Sequence, residues 1–131
     1  MRTIDPTHLP RRSDSRCGQQ LALRYESLDY SQRLQSYNDH QAFSGTDGVF
    51  RAVIAHRDPG VPNWLDTGGF EEGVVLCRFQ FPDRPAPQLC TRVVRTDDLV
   101  GVLPAETSGI DGAQRRRQIA LRRYGLARRL R

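Results

Sequence analysis

The chain has 131 residues, enough for one domain with a buried core, and it contains no apolar run long enough to cross a membrane. All twenty basic residues are Arg; eight lie from Arg115 onward without any acid, and the preceding part holds twelve Arg and all fifteen acids. The high isoelectric point therefore belongs to the tail, while the body is mildly acidic. The N-terminus lacks the apolar stretch of a signal peptide, so we expect a cytoplasmic protein with no membrane partner.

Cysteine spacing argues against the common metal sites. Cys17, Cys77 and Cys90 have no neighbouring Cys or His a few residues away, as zinc ligands usually do. We therefore expect no metal and no cofactor. Cys77 and Cys90 lie in strand-like runs and are predicted to be small buried hydrophobic residues.

The first half of the chain predicts short strands separated by turns. Residues 1–20 are polar and turn-rich, which predicts a disordered segment or one outside the fold. Residues 21–30 are predicted as a strand followed by a bend, with a short helix as the alternative. The Asp-Gly pair at residues 47–48 predicts a tight turn, and the apolar run at residues 49–55 predicts a buried strand.

Further strands are predicted in the middle of the chain. Residues 73–81 alternate apolar and polar side chains and predict a half-buried antiparallel strand. The Pro-rich residues 82–87 predict a turn, with residues 88–95 as the hairpin partner. Together these elements predict a mainly β fold over residues 21–107, a partial antiparallel sandwich of jelly-roll type.

The last third changes to helical periodicity. Thr96, followed by two Asp, predicts a capped start for a short helix at residues 97–102. Residues 108–131 predict a longer, Arg-rich α-helix capped by Asp111 or Ser108. One helical stripe holds Ile119, Arg123, Leu126 and Leu130, and the residues predicted to dock the helix on the sandwich are Ile119, Tyr124, Leu126 and Leu130.

The loop at residues 56–69 concentrates groups that carry chemistry. It holds the only Trp, a His, two Pro and three Gly between two predicted strands, and loops on a rigid sheet often carry catalytic and binding groups. His56, Asp58 and Asp66 are the candidates for acid/base chemistry, with Thr67 as a nucleophile. The alternative is structural: Asp58 forms a turn and His56 ends a strand. The residues alone therefore assign no catalytic residue.

Trp64 lies in the middle of this loop. It is predicted either to anchor the loop on the sheet or to form one wall of an apolar ligand pocket, and the two roles are compatible. In a pocket, Asn63 would supply a hydrogen bond, and Arg57 is a further candidate for ligand binding. The sequence does not identify the small-molecule ligand.

Three roles are open for the Arg-rich helix. It presents a solvated face, it contacts the acidic body or a partner domain, or it binds a polyanion such as nucleic acid. Nucleic acid is the weaker alternative because no stacking platform or base-reading motif accompanies the basic residues. The candidates for polyanion or partner contact are Arg115, Arg116, Arg122 and Arg123.

Several segments resemble the bacterial family catalogued as domain of unknown function 1214, in its actinobacterial form. They are Glu-Ser-Leu-Asp-Tyr at residues 26–30, Arg-Ala-Val-Ile-Ala at 51–55, His-Arg-Asp-Pro-Gly-Val-Pro-Asn-Trp-Leu-Asp-Thr at 56–67, the strand at 74–81, Thr-Arg-Val-Val at 91–94, Leu-Pro-Ala-Glu-Thr at 103–107 and the Arg-rich helix. The resemblance covers about residues 21–131, and the Asn-Trp-Leu step is its most specific part.

This resemblance implies a jelly-roll-like domain that normally follows an N-terminal region in a longer protein. Residues 1–20 match nothing in the pattern, which suggests an isolated C-terminal domain, a truncated product or a mis-assigned start. The family has no established activity to carry over. We therefore expect a non-catalytic binding or accessory module that works beside an N-terminal partner domain or forms a homo-oligomer. A hydrolase-like enzyme and a polyanion-binding protein are the alternatives.

Overall fold

The computed structural model describes residues 2–4, 18–23, 26–27, 29, 31–38, 40–78 and 89–129. The strands are β1 Arg2–Ile4, β2 Gly18–Leu23, β3 Glu26–Ser27, β4 Ser36–Tyr37, β5 Ala52–Ala55, β6 Trp64–Asp66, β7 Val74–Arg78 and β8 Thr91–Val93. A 3₁₀ turn at Thr96–Asp98 leads into helix α1, Leu99–Val102, and helix α2 spans Gly112–Arg129. Cys17, the predicted turn at residues 82–87 and Leu130 lie outside the described residues.

The first sheet joins strands that are far apart in the sequence. Its order is β6-β5-β1-β8. β1 pairs antiparallel with both β5 and β8, so the strand at residues 2–4 occupies the interior of this sheet. β5 and β6 pair in parallel, with Val53 opposite Trp64 and Ala55 opposite Asp66. The parallel register brings the ends of β5 and β6 to the same edge.

The second sheet is built on β2, which pairs antiparallel with β3, β4 and β7. The half-buried antiparallel strand predicted around residues 73–81 is confirmed as β7, where Val74 and Leu76 are each 51 % exposed. Cys77 in this strand, and Cys90, are half-buried instead of buried as the sequence predicts.

The predicted mainly β, jelly-roll-like sandwich is wrong. The described chain is a mixed α/β structure of short strands with one parallel pair and a long helix, α2. Parallel neighbouring strands usually need a connection of about a dozen residues or more. A loop as short as residues 56–63 is therefore more typical of antiparallel strands. Here β5 has only four residues, and a short loop can therefore return the chain to its starting edge.

The predicted hairpin between residues 73–81 and 88–95 is also wrong. β7 pairs with β2 in the second sheet, whereas β8 pairs with β1 in the first. An alternating pattern identifies a strand but carries no information about its partner, so the two neighbouring strands were assigned to each other by sequence proximity alone.

Two clusters of buried side chains form the described core. One consists of Leu34, Val53, Ala55, Val61, Trp64 and Leu99, with Leu103 and Ile119 packed against it. The other consists of Tyr37, Phe50, Ala52 and Leu65, with Ala42 and Ile54 packed against it. β5 contributes to both clusters because its successive side chains point to opposite faces. The buried strand predicted at residues 49–55 is thus confirmed, over a shorter range.

Helix α2 begins behind Asp111, as the sequence predicts. The Asp111 carboxylate accepts a hydrogen bond from the Gln114 amide, and the Gln114 side chain accepts one from the Asp111 amide, both at 2.8 Å. This reciprocal pair satisfies two amides that the first helical turn cannot bond. The short helix predicted before it also forms, but its N-cap residue is Asp98, which makes no side-chain cap hydrogen bond, and not the predicted Thr96.

The docked face of α2 differs from the predicted stripe. Ile119 is half-buried as expected, but Arg123 and Tyr124 are exposed, and Arg115 and Arg122 take inward positions. The apolar stems of Arg can pack against a core while the guanidinium heads find polar partners. A pattern that considers apolar side chains alone therefore places the stripe incorrectly.

The predicted segment boundaries at residues 20 and 107 remain predictions. The first falls inside β2, Gly18–Leu23, and the second lies between α1 and α2. Neither of the described helices is both long and apolar enough to span a membrane.

Gly125 allows a direct test of how α2 contributes to stability. It lies inside the helix, and a Cβ added to it would meet no atom within 4 Å. Gly125→Ala is expected to raise the free energy of unfolding by about 0.5–1 kcal/mol, because glycine in a helix interior is less favourable than alanine by that amount. Urea unfolding measures the change. The control Gly60→Ala, at a φ of 70°, should lower the free energy of unfolding. A loss of stability in Gly125→Ala would contradict the open surroundings of Gly125.

Candidate functional site

The crossover loop, residues 56–63, returns the chain from β5 to β6. Parallel pairing places His56, after β5, beside Thr67, after β6. His56 Nδ1 lies 2.6 Å from Thr67 Oγ1, and the Gly69 amide donates to the same oxygen at 3.3 Å. The hydroxyl can then donate its proton to His56 Nδ1 when that nitrogen is unprotonated. The structure therefore brings together a possible base and a possible nucleophile, although Thr67 is only 9 % exposed.

Asp58 faces the main chain and α2. Its Oδ1 accepts a hydrogen bond from the Gly60 amide at 2.8 Å, which is the turn that the sequence offers as the structural alternative. Both carboxylate oxygens also accept from Arg115, Nε to Oδ2 and Nη2 to Oδ1, at 2.8 Å each. A two-point pair of this kind fixes the orientation of both side chains, and no described hydrogen bond links Asp58 to His56.

Asp66 is likewise held by partners other than His56. Its Oδ1 accepts from the Gly68 amide at 2.8 Å, and its Oδ2 accepts from Arg33 Nη1 at 2.9 Å. Asp66 is 7 % exposed. The candidates for acid/base chemistry are therefore engaged separately, and among the described hydrogen bonds none supplies His56 with a carboxylate that would orient it.

Trp64 is packed into the core beneath the crossover loop. Its indole Nε1 donates to the Ala55 carbonyl at 3.0 Å, and its own carbonyl accepts from the Tyr37 hydroxyl at 3.0 Å. The guanidinium carbon of Arg115 lies 5.2 Å from the centre of the ring, which is within the range of a cation–π contact. These contacts are those of an anchor that ties the loop to the sheet.

Asn63 closes the loop onto the strand before it. Its φ of 53° lies in the left-handed region, which Asn adopts more readily than most residues. Its Nδ2 donates to the carbonyls of Phe43 (2.6 Å) and Arg51 (2.8 Å), and its Oδ1 accepts from the Phe43 amide (2.8 Å). The side chain is thus committed to the main chain. Arg57, in contrast, is exposed.

A small cavity borders the end of the loop. A cavity lined by Phe43, Val53 and Asn63, among others, has a volume of about 10 Å³, room for about one water molecule. Trp64 and Arg57 do not line it, and a binding site for a drug-sized ligand occupies about 300 Å³ or more. Within the described ranges no three His, Cys, Asp or Glu side chains are grouped to hold a metal ion. A ligand pocket at Trp64 stays a prediction.

Arg115 is the most buried of the four Arg residues singled out in the tail. It is 5 % exposed. Besides Asp58, it donates through Nη2 to the Val61 carbonyl at 2.7 Å and through Nη1 to Gln118 at 2.9 Å. One side chain thus joins the carboxylate, the main chain and the indole of the crossover loop to α2.

The other three Arg residues differ in their surroundings. Arg122 donates to the carbonyl of Ser36 at 2.8 Å and also to its hydroxyl, and burial lowers the pKa of its guanidinium. Arg123 is exposed and donates to Gln32 at 2.6 Å. Arg116 is exposed. The structure therefore separates two inward residues, Arg115 and Arg122, from two outward ones.

Sequence reasoning missed three residues that complete this site. Arg33 holds Asp66, Tyr37 holds the Trp64 carbonyl, and Gln118 holds Arg115. Arg33 and Tyr37 lie 33 and 27 residues from their partners, so no local spacing reveals them. Gln118 carries a usable signal, because it lies three residues after Arg115 on the same helix face.

Comparison with known proteins gives one informative similarity. The chain resembles the crystal structure of an uncharacterised protein from Burkholderia cenocepacia, with 32 % sequence identity and a TM-score of 0.65. The match covers 73 % of this chain and 26 % of the Burkholderia chain. The present chain thus corresponds to about a quarter of that longer protein. No protein-family model matches the chain, and no curated protein does either.

The ion pair between Asp58 and Arg115 should be energetically important. Asp58→Asn leaves the Arg115 guanidinium buried without a charged partner, and we expect the free energy of unfolding to fall by about 3 kcal/mol. The matched control is Asp47→Asn, which removes an exposed pair with Arg51 at 2.7 Å and should cost less than about 1 kcal/mol. Urea unfolding followed by Trp64 fluorescence measures both; equal losses would show that burial adds nothing to the Asp58 pair.

Tyr37 should make stability depend on alkaline pH. Burial raises the pKa of Tyr37 to about 12, although nearby Arg115 and Arg122 act in the opposite direction. Since this folded-state pKa exceeds the unfolded value of about 10, the contribution is complete below pH 10 and is lost as the pH rises towards 12, at about 1.4 kcal/mol per pH unit at most. Tyr37→Phe should flatten this loss and Tyr124→Phe should not. Identical pH profiles for wild type and Tyr37→Phe would refute the assignment.

Proposed function

We propose that this chain is a non-catalytic binding or accessory domain that works beside another region of a longer protein. The observation that carries the proposal is that three candidate groups, Asp58, Asp66 and Trp64, are all engaged in hydrogen bonds within the fold. A catalytic site needs such side chains to converge on a concave pocket where a substrate can reach them. Here they bond to separate partners, and none of the three lines the cavity beside Asn63, which has room for about one water molecule.

The partial length of the match supports the second half of the proposal. Since the chain corresponds to 26 % of the Burkholderia chain, a domain of this kind is found there as part of a larger protein. Several apolar side chains are also well exposed, among them Leu121 at 61 % and Tyr124 at 66 %. Exposed apolar side chains of this kind are available for contact with a further protein region.

We also propose, from the motifs alone, that the chain is the C-terminal domain of the family of unknown function 1214 in its actinobacterial form. Its Asn-Trp-Leu step supplies the loop geometry described above: Asn63 takes the left-handed conformation, and Trp64 carries the indole that contacts Arg115. The proposed location is the cytoplasm.

A hydrolase-like activity is the second candidate because one distance favours it, the 2.6 Å between His56 Nδ1 and Thr67 Oγ1. In such an enzyme the histidine would accept the hydroxyl proton while the oxygen attacks an ester carbonyl. Against it, Thr67 is 9 % exposed, and its oxygen also accepts the Gly69 amide.

Ester hydrolysis separates the two functions. The full chain is incubated with nitrophenyl esters of short acids, alongside His56→Ala and Thr67→Val. The accessory role predicts that release of nitrophenol is the same for all three proteins and equal to that in buffer. Saturable turnover by the wild type that is lost in both variants would overturn it.

The accessory role is tested by building a chimera of this chain and the Burkholderia protein. This chain replaces the matching quarter of the Burkholderia protein, and thermal unfolding of the resulting chimera is followed by calorimetry. A domain that packs against its neighbour unfolds with it, so one cooperative transition is expected. Two transitions, one of them matching that of the chain alone, would show that the domain does not work in contact with the adjoining region.

A further inference from the structure

Helix α2 has a docked side that is fully explained by the fold. Arg115, Ile119, Arg122 and Leu126 follow one another at spacings of four, three and four residues, which places them on one face. All four are buried or half-buried. Their contacts with Asp58, the first core cluster and Ser36 account for the attachment of the helix.

A second stripe lies on the opposite side of the same helix. It consists of Arg117, Leu121, Tyr124 and Arg128 and repeats the same spacings two residues later. Each helical residue advances by about 100°, so a shift of two residues turns the stripe to nearly the opposite face. Leu121 is 61 % and Tyr124 is 66 % exposed, and both Arg are exposed. We call these four residues the outer stripe.

The outer stripe is unlike the solvent face of an ordinary surface helix. Such a face carries polar and charged side chains of both signs, whereas here two large apolar side chains lie between two Arg. No acid occurs anywhere in α2, Gly112–Arg129. Beside the stripe, a Cβ on Gly125 would meet nothing within 4 Å, so the helix backbone is open to close approach at this point.

We propose that the outer stripe is a docking site for an acidic amphipathic helix of the adjoining region in the longer protein. The inference rests on the proposed accessory function. Apolar side chains of that helix would cover Leu121 and Tyr124, and its carboxylates would pair with Arg117 and Arg128. Charge complementarity selects this occupant, because α2 offers only positive charge around its exposed apolar pair.

Other occupants fit the outer stripe less well. Nucleic acid would use the Arg residues but not Leu121, and one Tyr does not make the series of aromatic side chains on which successive bases stack. A membrane surface would gain little from two apolar side chains. Within one protein, in contrast, even a small contact suffices, because the connecting chain raises the effective concentration of the two surfaces.

Peptide binding tests the proposed chemistry. The probe is a labelled helical peptide of about twenty residues with Leu along one face and Glu on both flanks, titrated into the full chain. A peptide with Lys replacing every Glu is the control for charge, and an oligothymidine and anionic phosphatidylserine vesicles represent the alternatives. We expect saturable binding of the acidic peptide that weakens with salt. Binding of the Lys peptide, the oligothymidine or the vesicles with equal affinity would overturn the proposal.

Matched variants locate the binding surface. Two double variants should each weaken binding of the acidic peptide by about fivefold or more, as removal of contacting side chains commonly does. They are Leu121→Ser with Tyr124→Ser, and Arg117→Gln with Arg128→Gln. Val100→Ser, at an 84 % exposed apolar residue, and Arg95→Gln, at an exposed Arg, are the controls and should leave affinity unchanged. Circular dichroism checks the fold of every variant. Equal weakening by the control variants would overturn the assignment to the outer stripe.

The exchanged Burkholderia chimera separates this inference from the proposed function. Suppose that the chimera with Leu121→Ser and Tyr124→Ser unfolds in two transitions, whereas the chimera with Val100→Ser unfolds in one. This result supports both the accessory role and docking through the outer stripe. If the transition stays single in the double variant, the accessory role stands and docking through the outer stripe is refuted. If the unsubstituted chimera already unfolds in two steps, the accessory role itself fails.

Discussion

The contact on which the rest of this structure depends is the ion pair between the buried Arg115 guanidinium and the partly exposed Asp58 carboxylate. It lets an unusually short connection join two parallel neighbours, because α2 holds the crossover loop from outside through a carboxylate, a carbonyl and the Trp64 ring. Such a pair adds little net stability, but its two-point geometry fixes how the two side chains face each other. The placement of α2 that satisfies the guanidinium also packs Ile119 against the first core cluster.

Local signals in the sequence predicted the elements well and their arrangement poorly. The Asp-Gly turn forms, with Gly48 at a φ of 74°. β5 is buried, β7 is antiparallel and α2 starts behind Asp111, because each of these depends on side chains a few residues apart. The antiparallel pairing of β8 with β1 and of β7 with β2, in contrast, depends on contacts between distant segments. The spacing of apolar residues along the sequence carries no information about such contacts, and therefore the predicted sandwich was wrong.

The candidate site shows the same division. The sequence located the unusual loop and offered a structural alternative for Asp58, and the turn to Gly60 follows from adjacent residues. It could not show that Arg115, 57 residues away, takes the same carboxylate. The Arg-rich tail illustrates why: composition treats its residues alike, whereas burial separates Arg115 from the solvent-exposed Arg116 beside it.

The distance along the chain between Asp58 and Arg115 also has a consequence for synthesis. A ribosome must add 57 residues after Asp58 before Arg115 exists. Until then the crossover loop lacks its outer partner, and the parallel pair has only the partners that precede it, such as β1, Arg33 and Tyr37. A nascent chain of this protein thus passes through a long stage in which Trp64 and its neighbours have no helix to cover them. This stage is the one in which chaperone binding and proteolysis would act most strongly on the chain.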